Sequence, residues 1–175
     1  MIEFKTERLL IRPFNETDGE DFYEYFSDEE VLKFEPYQPY SKEKALMEAK
    51  RRESDERFLA VCLADGKLIG NLYFSKGDFD TWELGYVFNK KYWGHGYASE
   101  SAAGLLRFAF ETLNARRIIA MCDPLNLPSW KLLEQIGMRR EGTLLQNIWF
   151  FTDENGQPIW KDTYEYAILK SEYLG

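Results

Sequence analysis

Apolar and polar residues change their spacing repeatedly along the chain, and each change predicts an element. The apolar burst in ERLLIRPF, Glu7 to Phe14, stops at Pro13, which cannot donate to a ladder, so it predicts a first or edge strand. Asp18 to Phe26 places Phe22, Tyr25 and Phe26 on one helical stripe among acidic residues, the pattern of a short amphipathic helix. Beyond the turn region Pro36 to Tyr40, Ser41 precedes Ala45, Leu46 and Ala49 at helical spacing and is the candidate N-cap of a second helix. Phe58 to Ala64 and Lys67 to Phe74 read as strands joined by Asp65-Gly66, a hairpin signal in which both turn residues are expected at positive φ. A turn over Lys76 to Asp80 leads into Thr81 to Phe88, completing an antiparallel meander.

The period then switches. Tyr97 to Leu113 predicts a long helix with Ala98, Ala102, Leu105, Leu106, Ala109 and Leu113 facing inward. Ile118 to Met121 predicts a short buried strand, and Ser129 to Ile136 a helix stopped near Gly137. Strand, helix, strand, helix is the sequence form of a parallel crossover. Gly142 to Phe151, the turn Asp153 to Gly156, and Trp160 to Leu169 predict a closing hairpin, given a heavy packing surface by Trp149, Phe150, Phe151 and Trp160. No low-complexity linker divides the chain, so residues 1–175 are expected to form one domain. Its class is mixed α/β (α+β): a central, mostly antiparallel sheet of about seven strands with a parallel pair, flanked by about four helices.

Composition narrows the function. The 175 residues are 45% hydrophobic and 17% aromatic, which supports a real core but not two catalytic domains. A formal charge of -8 argues against non-specific nucleic-acid binding. Cys62 and Cys122 sit in apolar runs without the spacing of a disulfide framework, and the single His95 argues against a histidine-rich metal site, so no metal is expected. Glu3, Lys5, Glu7 and Arg8 interrupt the N-terminal segment, and no run approaches the ~18 apolar residues of a membrane helix. A cytoplasmic protein without nucleic-acid or membrane partners is the expectation.

The stretch richest in chemistry is Val87 to Ala98, VFNKKYWGHGYA. It passes from a strand through Gly94 and Gly96 into the first turn of a long helix, where free N–H groups and the positive dipole end favour a phosphate. Glycine at those positions permits a tight turn and close backbone approach. GHGYAS lacks the third glycine of a dinucleotide fingerprint, and no P-loop pattern occurs. Asn126 to Ser129 reads on its own as a helix N-terminal turn.

Three ordered blocks resemble the GCN5-related N-acetyltransferase superfamily, especially its ribosomal-protein N-terminal acetyltransferase branch. They are TERLLIRPF (Thr6 to Phe14), GYVFNKKYWGHGYASESAAGLLRFAF (Gly85 to Phe110) and ARRIIAMCDPLNLPSWKLLEQIGMRREG (Ala115 to Gly142). The central block is similar to the family's acetyl-coenzyme A signature, Gln/Arg-x-x-Gly-x-Gly/Ala, carried here by Lys91, Gly94 and Gly96. Lys91 replaces the usual Gln or Arg, keeping a point charge but losing the planar fork. The resemblance implies the acyl-CoA N-acyltransferase fold, acetyl-coenzyme A as cosubstrate, and direct attack by an amine without an acyl-enzyme. It places Val87 and Phe88 along the pantetheine arm at a splay in the sheet, acting through their backbone while their side chains pack in the core. It also implies that Lys91, Trp93, Gly94, His95, Gly96, Tyr97 and Ala98 surround the pyrophosphate, that Asn126 contacts the cofactor arm, and that Ser129, near the thiol, serves as proton donor to the leaving thiolate.

Acetyl transfer needs a neutral amine, and Glu83 in TWELGY is the candidate general base, acting through water with a pKa raised by partial burial. Glu100 reads as a helix first-turn dipole complement or structural partner, and a backbone N–H near Val87 as the oxyanion donor. Charge is locally uneven: Asn15 to Glu35 holds nine Asp or Glu and one Lys, whereas Tyr86 to Arg117 holds five Lys or Arg and two Glu. One reading is a solvated acidic helix face; the other is a basic half for coenzyme A and an acidic half for a cationic acceptor. The acceptor is expected to be a protein N-terminal α-amine, such as that of a ribosomal protein. The alternatives are a small-molecule amine (polyamine, aminoglycoside or similar) and a non-catalytic acyl-coenzyme A sensor. Tyr37, Tyr40, Trp149 and Phe151 are candidates for an acceptor pocket or a homodimer surface.

Overall fold

A computed structural model describes residues 2–173. The first apolar burst forms β2 (Leu9–Pro13), preceded by a two-residue strand β1 (Phe4–Lys5). β1 takes the edge, so β2 is paired on both sides, and Pro13 fits because it is the strand's last residue. The aromatic stripe becomes α1 (Gly19–Phe26), with Phe22, Tyr25 and Phe26 fully buried and the Phe22 and Phe26 rings stacked at 4.1 Å. Helix α2 (Lys42–Arg52) starts at the predicted cap, where Ser41 accepts a hydrogen bond from the Lys44 N–H.

The meander is β3 (Phe58–Leu63), β4 (Leu68–Lys76) and β5 (Thr81–Phe88). Its first turn departs from expectation. Gly66 has φ +93°, but Asp65 is not at positive φ. The Gly66 N–H closes on Leu63 O and the Leu63 N–H on Lys67 O, while the Asp65 carboxylate accepts the Lys67 N–H. The loop therefore needs glycine at one position only.

After β5 come α3 (Tyr97–Glu111), β6 (Arg117–Cys122), α4 (Leu127–Gln135), β7 (Arg139–Thr152), β8 (Pro158–Leu169) and a single turn, α5 (Lys170–Tyr173). The sheet has eight strands, in keeping with the expected mixed sheet of about seven, in the order β1-β2-β3-β4-β5-β6-β8-β7. Among the described residues every pairing is antiparallel except β5 with β6, the predicted crossover. One core lies between the sheet and α3 and α4, the other under α1 and α2. The alternation of β5 feeds both: Leu84 and Phe88 enter the first, Val87 the second. Phe110 joins Ala102, Leu105, Leu106 and Ala109 on the buried stripe of α3, whereas Ala98 and Leu113 are only half-buried.

The closing hairpin also differs from expectation. Trp149 and Trp160 face each other in register but remain 46% and 52% exposed, so their surface is not spent on this chain's core. Met121, expected inside a buried strand, is exposed on β6 because it faces a cavity.

Candidate active site

β5 and β6 run together only from Thr81 opposite Arg117 to Leu84 opposite Ala120. Beyond that point Gly85–Phe88 stays with β4, while Met121 and Cys122 stay with β8. The two strands part, leaving the facing edge of β5 outside any ladder with β6. A cavity of about 500 Å3 opens there, and Glu83, Val87, Asn126 and Ser129 lie in its wall. Four of the residues singled out from sequence are thus brought together.

Lys91 to Ala98 do not line this cavity; they form an exposed turn at the start of α3. Gly94 and Gly96 both have φ +78°, and Gly96 is the N-cap, so the first amides of α3 lie beside a turn that L side chains disfavour. A Cβ on Gly96 would stand 3.4 Å from Arg8 Nη2. The Trp93 indole N–H donates to Phe88 O at 2.9 Å, which ties the turn back to β5. His95 stacks on Tyr97, and its carbonyl accepts from Arg8 Nη1. The side chains of Val87 and Phe88 are buried in separate cores; Val87 also lines the cavity, whereas Phe88 does not and its carbonyl is taken by Trp93.

The side chain of Lys91 does not turn to the helix start: its ammonium pairs with Glu24 on α1. Lys90 likewise pairs with Asp28 at 2.8 Å and Glu30 at 3.4 Å. Hydrogen bonds from Lys67 and Lys91 hold the Glu24 carboxyl below its ordinary pKa, and Lys90 does the same for Asp28. The acidic and basic segments are therefore not separate fields. They meet along the seam between α1 and the glycine turn, where Lys90 and Lys91 pair with Glu24, Asp28 and Glu30.

Glu83 keeps solvent on one side, and the protein packed on its other side raises its pKa, the direction a general base requires. Asn126 is the N-cap of α4, yet its side chain makes no capping bond; its carbonyl accepts from the Ser129 and Trp130 N–H groups. The Ser129 hydroxyl lies 2.9 Å from the Tyr86 hydroxyl, and Tyr86 also donates to Ser129 O at 3.1 Å. Burial raises the Tyr86 pKa, partly offset by Ser129, so the phenol stays protonated. Burial also pushes the Cys62 and Cys122 thiols up to about 11, which leaves neither poised as a nucleophile.

Two cavity residues escaped the sequence reading. Tyr86 sits between the recognised Glu83 and Val87, and a tyrosine in an apolar strand needs a hydroxyl partner that spacing cannot name. Glu35 comes from the segment between α1 and α2, where burial raises its pKa to about 7. Its one sequence signal is an acid set among aromatics, in Phe34-Glu35-Pro36-Tyr37.

The open strand edge and the glycine turn fit an acetyl-coenzyme A site: one can bond the amides of an extended arm, the other can hold phosphate. A sheet parted beside such a helix start defines an acyl-coenzyme A-dependent transferase. Residues 8–139 match the family model described as an acetyltransferase (GNAT) domain, and the chain belongs to that family. It is 40% identical over 172 residues to the uncharacterized N-acetyltransferase YnaD of Bacillus subtilis, covering 96% of this chain and 97% of that one. The crystal structure of an acetyltransferase (GNAT family) from Bacillus anthracis superposes with a TM-score of 0.88 at 38% identity, over 97% of this chain and 99% of that one. The [ribosomal protein uS5]-alanine N-acetyltransferase of Escherichia coli is 24% identical over 156 residues, 81% of this chain and 80% of that protein. The chain is an acetyl-coenzyme A-dependent N-acetyltransferase with the expected fold, so the non-catalytic alternative is set aside.

Proposed function

We propose that the acceptor is a primary amine on a small molecule, which enters the cavity as an ammonium and loses its proton to Glu83 through water. The cavity carries this reading: about 500 Å3 suits a small molecule, and Glu83 stands in its wall next to the parting of β5 and β6. Acetyl-coenzyme A, when bound, supplies a thioester and a thiol leaving group. The first amides of α3 and the turn at Gly94 and Gly96 would hold its phosphates, and the backbone of β5 around Val87 with the Asn126 side chain would hold its arm. The Tyr86–Ser129 hydroxyl pair can turn one O–H toward charge on the thiol side while the other holds it in place. Neither free thiol enters the reaction; both suit a reducing compartment, and we place the enzyme in the cytoplasm.

A protein N-terminal α-amine is the second reading, supported by the similarity to the uS5-alanine enzyme. It is the acceptor expected from sequence; the size of the cavity favours the small amine. Mass spectrometry of products from one panel of small amines and one of peptides tests the choice. We expect acetylated small amines with equivalent release of coenzyme A; transfer confined to peptide N-termini would overturn the small-molecule acceptor.

A further inference from the structure

The charged groups around the cavity are matched, with two exceptions. Lys161 pairs with Asp123 at 2.5 Å, Asp162 accepts the Gln146 N–H at 2.7 Å, and Arg52 Nε pairs with Glu48 at 2.9 Å. The carboxylates of Glu83 and Glu35 have no hydrogen-bond or ion-pair partner among the described residues. Glu83 belongs to the reacting end, where β5 leaves β6. Glu35 is on a different element, fixed by its own N–H bonding to Leu32 O at 2.9 Å, and shares the cavity wall with the rings of Phe34, Tyr37 and Tyr73. A half-buried carboxylate backed by aromatic faces suits an ammonium: the acid supplies the charge and the rings exclude water while still attracting a cation.

The countervailing features are the ammonium groups of Lys33 and Lys161, 5.3 Å and 6.0 Å from the Phe34 ring centre, the latter tied to Asp123, and Arg52, whose Nη1 has no partner. Arg52 is only 1% exposed, however, with its guanidinium carbon 4.0 Å from the Phe58 ring centre and 4.7 Å from that of Phe22. Arg52 lines the same cavity but presents almost none of its surface to it, whereas Glu35 is only half-buried.

We propose that Glu35, with Phe34 and Tyr37, is an ammonium-binding subsite, so that the acceptor is a small amine carrying a second positive charge away from the nitrogen that reacts. This rests on the small-amine reading above and narrows it to diamines and their longer relatives. Glu35 selects and positions the acceptor, and Glu83 acts on the reacting nitrogen.

Calorimetry on the coenzyme A-bound protein tests the subsite without turnover, using 1,4-diaminobutane, butylamine and 4-aminobutyrate against wild type and Glu35→Gln. The diamine should bind wild type at least tenfold more tightly than butylamine, and that preference should shrink to about twofold in Glu35→Gln. Coenzyme A affinity should stay the same in both proteins, which reports that the variant is folded. Equal diamine affinity in the two proteins, no diamine binding by wild type, or tighter binding of 4-aminobutyrate would each overturn the subsite. Glu35-dependent diamine binding with no acetylation of any small amine would instead sink the small-amine reading and leave the subsite standing.

Discussion

Arg8 and Glu100, 92 residues apart, clamp the start of the chain to the glycine turn. Arg8 Nε meets Glu100 Oε2 at 2.6 Å, the Arg8 N–H meets Oε1 at 2.8 Å, and Thr6 donates to the same oxygen at 2.6 Å. The guanidinium then reaches His95 O at 2.9 Å and covers the Tyr97 ring at 4.5 Å. Burial opposes the Glu100 charge, but the bonds from Thr6 and Arg8 outweigh it and lower its pKa. Glu100 is therefore a structural partner as much as a complement to the dipole of α3. In a double-mutant cycle, Arg8→Ala and Glu100→Gln should show a coupling of roughly 1 kcal/mol in denaturant unfolding, kept modest by the 43% exposure of Arg8. Each single variant should weaken acetyl-coenzyme A binding several-fold because the turn loses its brace. Additive effects on stability with unchanged affinity would contradict the clamp.

The glycine turn can be probed separately. Gly96→Val forces an L side chain to φ +78° and crowds Arg8, whereas Gly156→Val meets φ +74° in a hairpin turn with no atom within 4 Å of the new Cβ. Both should lose about 1–2 kcal/mol of stability from the backbone. Only Gly96→Val should raise the Kd for acetyl-coenzyme A, by tenfold or more. Equal affinities in the two variants would remove the crowding argument.

For Glu83, the sign of the pH effect follows from its raised pKa. The base must be deprotonated, so kcat/KM should fall as pH drops through a value above the ordinary carboxylate range. Glu83→Gln should lose roughly 10²–10⁴-fold in kcat/KM and should lose that acidic limb. An unchanged profile between pH 6 and 9 would assign the limb to another group.

The Tyr86 and Ser129 hydroxyls should act as a unit. Tyr86→Phe and Ser129→Ala are each expected to lower kcat roughly tenfold to a hundredfold with little change in the KM for acetyl-coenzyme A, and the double variant should be no worse than the worse single. Multiplicative losses would mean that the two hydroxyls work independently.

Much of the scaffold was legible because it depends on local pattern. The stripe of Phe22, Tyr25 and Phe26, the Ser41 cap and the period switch at Tyr97 each need only a few neighbouring residues. Motif spacing singled out Gly94, Gly96, Asn126 and Ser129, and the fold puts the last two in the cavity wall and the glycines in the turn before α3. Long-range pairing was not. Counting charges placed acid and base in different segments, but the fold sets Lys90 against Asp28 and Lys91 against Glu24, contacts that charge counting cannot supply. The same holds for Arg8 and Glu35, whose functions come from residues brought to them by tertiary contact.

Glu35 also leaves a signature in stability. Its pKa rises from 4.5 to about 7 because burial disfavours the charged form in the fold. Below the unfolded value the group is neutral in both states and costs nothing; as pH climbs toward and past 7, the folded state must ionise a carboxyl that water would solvate better. Glu35→Gln removes that penalty and should be more stable than wild type at pH 8 by on the order of 2 kcal/mol, or several degrees in Tm. The advantage should shrink through pH 6 and vanish near pH 4.5. Because every other titrating group is common to both proteins, the difference between their melting curves isolates this one carboxyl. A difference that stays constant with pH would mean that Glu35 is ionised at its ordinary value, well solvated at the rim.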